Sequence, residues 1–144
     1  MTQPEVPDDV RAFIDAVTPA KRRRDAETLL DLYARATGQP PYLWHTIIGF
    51  GEYHYRYQSG REGTAGAAGF APRKAATVVY LGDGVGPYAE SLAKLGPHTT
   101  GLVCVYLKDL EQVDLAVLED VITRSYAVLT AEETYTKRAD GGGA

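Results

Sequence analysis

The stretch 49-GFGEYHYRYQSGREG-63 alternates with a period of two. Tyr53, Tyr55 and Tyr57 take the odd places; Glu52, His54 and Arg56 take the even ones. Successive side chains on a strand point to opposite faces, so this spacing predicts a strand with three phenol rings on one side and a charged set on the other. Two readings of the rings stand. They pack under a helix while their hydroxyls reach water or a backbone partner, or they form the aromatic wall of a ligand groove. Ten tyrosines against three phenylalanines favour a wet, amphipathic groove.

Working outward, residues 44–50 and 52–57 are candidate strands with Gly51 between them. One residue is too few for a hairpin turn, so Gly51 is expected as a bulge or bend in one long strand region. The apolar runs 76-ATVVYL-81 and 102-LVCVYL-107 suit central strands covered on both faces. A short strand is expected around residues 68–70, and 58-QSGREGTAGAAG-69 reads as a polar, glycine-rich connection. Helical spacing marks Val10 to Val17, and Ala26 to Ala36 in a segment that Thr18 opens as N-cap with Pro19 as first helical residue, and that Gly38 and Pro40-Pro41 close. Val85 to Leu95 reads as a short helix, and Leu115 to Leu129 as a long one capped by Asp114. The element order is not a strict β-α alternation. It predicts an α+β fold with a mainly antiparallel sheet packed with helices.

The chain of 144 residues suits one domain, placed at residues 1–130, with 131–144 as a flexible C-terminal tail. The single cysteine, Cys104, allows no internal disulfide, which fits a reducing, cytoplasmic setting. The opening MTQPEVPDDV has neither a basic start nor an apolar run, so no signal peptide is expected there. No run approaches the roughly 18 apolar residues of a membrane helix. A net charge of -4 disfavours general nucleic-acid binding, which needs many phosphate-neutralising cations. The run 21-KRRR-24 is spread around a helix axis and reads as a solvated helix start.

Three blocks in order, 44-WHTIIGFGEYHYRYQSGREG-63, 69-GFAPRK-74 and 95-LGPHTTGLVCVYLKDLEQVD-114, resemble the YdhG-like domain family of bacterial proteins over residues 20 to 126. His45 stands where that family usually has glycine, Ala71 where it often has serine, and Leu102 where it has lysine. Most of the family has no assigned function. One branch is described as a frataxin-like iron chaperone, so the resemblance implies iron, held on exposed acidic helix surface. Asp25, Glu27, Asp31, Asp109, Glu111, Asp114, Glu119 and Asp120 are the carboxylates such a surface would use.

The cations Arg61, Arg73 and Lys74 flank the glycine-rich segment, where arginine offers a two-pronged donor to a carboxylate or phosphate. With them, Tyr53, His54, Tyr55, Tyr57 and Phe70 complete the expected ligand-binding set. His45, His54 and His98 match no dense metal motif. Cys104, inside an apolar run, reads as a small hydrophobe, and 82-GDGVG-86 as a turn lacking the dinucleotide and phosphate-loop fingerprints. No residue is assigned to catalysis. The sequence thus points to a binding or chaperone-like domain for a small anionic ligand or iron. Two alternatives stay open: a small enzyme using His54 as acid or base, and a homo-oligomeric interaction module. Small-molecule, metal and protein partners are all compatible with it; nucleic acid and membrane are not expected.

Overall fold

Val10 and Ile14, one helical turn apart, are buried on α1 (Asp8–Asp15). Leu29, Leu30 and Tyr33 do the same on α2 (Ala20–Thr37). Pro19 is an extended N-cap to α2, so the helix starts at Ala20 and not at the proline. It ends where Gly38 takes φ 70° and bonds the Ala34 carbonyl, a left-handed cap without a Cβ penalty. The computed structural model describes residues 5–137.

Among these residues the fold is α+β, with one seven-stranded, mainly antiparallel sheet. The strands are β1 (Pro41–Trp44), β2 (Ile47–Tyr57), β3 (Glu62–Pro72), β4 (Thr77–Tyr80), β5 (Thr99–Thr100), β6 (Cys104–Leu107) and β7 (Tyr135–Lys137). Their spatial order is β1-β2-β3-β4-β6-β5, with β7 parallel to the Tyr55–Tyr57 end of β2. β7 lies inside the segment expected as a tail; residues 138–144 lie outside the described part. A 3-10 turn (Gly86–Tyr88) and the single turn α3 (Ala89–Leu92) replace the longer third helix expected from the spacing. Three nearby glycines and Pro87 disfavour a helix until Tyr88. α4 (Leu115–Thr130) is capped as expected: the Asp114 carboxylate accepts the N–H groups of Ala116 at 3.0 Å and Val117 at 3.3 Å.

The helices cover one face of the sheet. Tyr33 from α2 stacks on Phe50 with ring centres 4.9 Å apart, beside Phe70, and its hydroxyl donates to the Gly69 carbonyl at 2.9 Å. The opposite face is covered only in part: Trp44 and Tyr106 are exposed on it, while Ala71 and Val78 are buried. On β6, Val105 and Leu107 are buried while Tyr106 faces out, so this strand is covered on one side only. Cys104 is half-buried on the same side as Tyr106, not a core hydrophobe.

The connection expected over 58–69 is mostly strand. Residues 58–61 turn, and β3 begins at Glu62. Its glycines fit tyrosine rings lying flat on the backbone. A Cβ on Gly63 would meet the Tyr55 hydroxyl at 2.5 Å, and one on Gly66 the Tyr42 hydroxyl at 2.9 Å. Glycine in a strand commonly marks such close approach.

Gly51 is a bend and not a bulge. The β2–β3 register runs from Ile48↔Phe70 to Arg56↔Glu62 with no residue inserted. Gly51 has φ 70°, and the inward face changes parity there. Ile48 and Phe50 enter the main core, whereas Tyr53 joins Ala67 and Leu129 in a second cluster. The consecutive Ala67 and Ala68 are both buried, one in each cluster. No helix among the described residues is long and apolar enough to cross a membrane.

Candidate functional site

The parity change decides where the tyrosine ladder points. Tyr53, Tyr55 and Tyr57 share one side, with ring centres 6.0 Å apart for the first pair and 5.7 Å for the second. Tyr53 and Tyr57 are buried, and Tyr135 meets Tyr53 edge-on at 6.0 Å. Tyr53 therefore packs with Leu129 of α4, and Tyr55 and Tyr135 join the same cluster, as the packing reading expects. Tyr53 and Tyr55 also line a cleft of ≈ 510 Å³, and Tyr57 does not.

β3 and β4 diverge to make this cleft. They pair only between Gly69–Pro72 and Thr77–Tyr80. Beyond Tyr80 the chain leaves through Leu81 and Gly82, and residues 64–68 of β3 form the opposite wall. Tyr53 reaches across beneath: its hydroxyl lies 3.2 Å from where a Cβ on Gly82 would sit. Tyr42, Trp44 and Ile47 stand at the open-face side. The tip of the Tyr42 ring spans Gly49 and Gly66, and its hydroxyl donates to the Gly51 carbonyl at 3.1 Å. Burial, with the Glu52 carboxylate adding to it, holds this phenol above its ordinary pKa. Glu52 is the one charged residue among the described lining.

The two-residue loop between β1 and β2 sets the position of Trp44. Trp44 pairs with Ile47, and His45 between them has φ 56°, a conformation that hairpin loops usually assign to glycine. The His45 ring meets Trp44 edge-on at 4.6 Å. Trp44 is 59% exposed.

The expected cations lie elsewhere. Arg61 stacks over the Tyr57 ring at 4.4 Å. Arg73 donates to the Thr46 hydroxyl at the hairpin loop, and Lys74 sits exposed in the β3–β4 turn. None of the three lines the cleft. Phe70 is fully buried on the helix side. His54 bonds Glu62 at 2.8 Å across the ladder, and Arg56 reaches the same carboxylate at 3.3 Å. The His54 hydrogen bond, then the Arg56 charge, hold Glu62 below the usual carboxylate range. Glu62 thus occupies His54 in a solvated surface network.

Seven of the eight carboxylates implied for iron are drawn into other contacts, while Asp31 is exposed on α2. Glu27 pairs with Arg11, Glu119 with Arg35 at 3.0 Å, and Asp120 with Arg124 at 2.9 Å. Asp109 and Glu111 meet Arg24 at 2.8 and 3.3 Å, and Asp114 caps α4. Asp25 is fully buried between Arg24 at 2.7 Å and Arg22 at 3.6 Å. The basic run is solvated only in part: Lys21 is exposed, whereas Arg22 is 4% exposed and donates to the Lys108 carbonyl at 3.1 Å. No three His, Cys, Asp or Glu side chains converge to hold a metal among the described residues.

Sequence reasoning missed Tyr42, Trp44, Ile47, Tyr80 and Val103 as cleft residues. The usable signal was 65-AGAAGFA-71, a run of small residues of the kind that aromatic rings cover. Comparison with protein-family models, with curated proteins and with solved structures returned no match.

Proposed function

We propose that the protein is a non-catalytic binding module. Its open-face cleft receives a largely apolar ligand carrying a neutral or positively charged group. The observation that carries this reading is the lining: aromatic walls from Tyr42, Tyr53 and Tyr80, small residues along β3, and Glu52 as the single described charge. Such a surface combines apolar contact with one orienting polar group, the usual composition of small-ligand sites. Aromatic faces also attract cations, and a carboxylate beside them adds to that preference. An anionic ligand, expected from Arg61 and Arg73, finds neither of them in the cleft.

Two observations favour binding over acid-base catalysis. His54 is engaged with Glu62 and is not a lining residue. Nor does the lining contain the hydrogen-bonded nucleophile and base that covalent chemistry requires. The resemblance to YdhG-like domains belongs to the proposal in one respect: Trp44, Gly49, Glu52, Tyr53 and Gly69, from the blocks that carry it, line the cleft.

The test is a ligand screen by thermal shift on the full chain and on Gly66→Val. The added side chain projects toward the Tyr42 hydroxyl and occupies the cleft. Compounds that stabilise the native chain should include amines or neutral aromatics, and the variant should not respond to them. Stabilisation only by carboxylates or phosphates, or an equal response from the variant, contradicts the reading.

A further inference from the structure

Among the described residues, β3 has one flank that its neighbours leave open. Residues 62–68 pair with β2, and β4 joins only from Gly69 onward. In a strand, alternate residues turn their N–H and C=O groups to the same edge, so this stretch presents main-chain donors and acceptors to the cleft. Thr64 and Gly66 are exposed there. The other margins of the sheet are blunted: β1 starts with Pro41, β5 has two residues and β7 three. Edges are normally protected by shortness, proline, lysine or a bulge. Residues 63–68, GTAGAA, have none of these, and the apolar cleft runs along them.

We propose that this edge accepts an extended peptide as an added strand, with a lysine or arginine placed opposite Gly66. This rests on the cleft being a ligand site and names the class of ligand. The charge of the cleft selects the basic side chain. Glu52 is the residue directly across from Gly66. With no side chain on Gly66, a long basic group on the incoming strand lies over it and reaches the Glu52 carboxylate beside the Tyr42 hydroxyl. A second copy of the chain fits less well. Edge-to-edge pairing of two β3 strands brings two sets of Glu52 and Glu62 together on chains of net charge -4. Main-chain pairing supplies affinity and alternate side chains supply choice, as in other strand-addition sites.

The experiment uses the full chain and a positional-scanning library of acetylated, amidated hexapeptides, read by fluorescence polarisation. The expected result is selection of lysine or arginine at one position. The selected peptide should protect amides of residues 63–67 from hydrogen exchange. Methylation of its alternate backbone nitrogens should weaken binding at least tenfold, and Glu52→Gln should remove the basic preference. Binding that survives methylation, or that selects no basic residue, overturns the inference. Concentration-dependent dimerisation protecting the same amides overturns it in favour of a second copy. If no peptide binds while small amines still stabilise the chain, the peptide inference fails and the cleft reading survives. If neither binds, both fail.

Discussion

The Tyr42 ring lies on Gly49, its partner across the β1–β2 ladder: a Cβ built on that glycine meets the ring Cζ at 2.7 Å. The same hydroxyl is tethered to the Gly51 carbonyl, so the ring cannot swing aside without losing that bond. One aromatic side chain thereby fixes the open-face wall of the cleft through two strands.

Gly49→Ala should therefore destabilise the protein by about 1–2 kcal/mol, the scale of overpacking a filled site. Combining it with Tyr42→Ala should remove most of the alanine's own cost. A double-mutant cycle by urea denaturation measures this, with a coupling energy clearly above zero expected.

His45 supplies a second test of backbone geometry. A left-handed conformation costs an L-residue roughly 1–2 kcal/mol, and a β-branched one more. His45→Val should lower the melting temperature by several degrees relative to His45→Gly. Equal melting temperatures for the two variants would contradict the positive φ at this position.

Asp25 and Arg22 bind α2 to the segment after β6. Asp25 also accepts the Leu110 N–H at 3.2 Å. Asp25→Ala strands a buried guanidinium and should cost about 3–5 kcal/mol, while Arg22→Met with Asp25→Leu should recover most of that loss. Denaturant midpoints of the three proteins decide it.

The alkaline limit of stability follows from two phenols. Burial raises the pKa of Tyr33, and burial with the Asp83 hydrogen bond raises that of Tyr88. The unfolded chain ionises its tyrosines near pH ~10, whereas the folded chain holds these two protonated. Their contribution is complete below the unfolded value and is lost as pH rises through it toward the folded values. Tyr33→Phe should be less stable at neutral pH, through the lost bond to Gly69, yet show a shallower decline above pH ~10.

Much of this architecture was legible in local spacing. The helix stripes on α2 and α4 and the Asp114 cap announce themselves because each is decided within a few residues. The tyrosine strand was equally clear, and its rings do share a side. Its facing was not, since parity reverses at Gly51 and that reversal depends on β3 and Tyr42. β3 itself was hidden because glycine and alanine carry low strand propensity, and only the rings lying on them explain the choice. β1 was masked by Pro40-Pro41, which reads as a helix stop. The distance of the cations from the cleft was hidden for a related reason: nearness in sequence to a glycine-rich segment does not fix where a long side chain ends, and Arg61 and Arg73 end on Tyr57 and Thr46.

Binding in the cleft can be read from the chain's single tryptophan, Trp44, at its side. Its emission is recorded during titration with matched aromatic amines and aromatic carboxylates, for the native chain and for Glu52→Gln. A saturable shift with the amines, absent with the carboxylates and weakened several-fold in the variant, is the predicted result. A response to carboxylates alone, or no saturable response to either series, would contradict it.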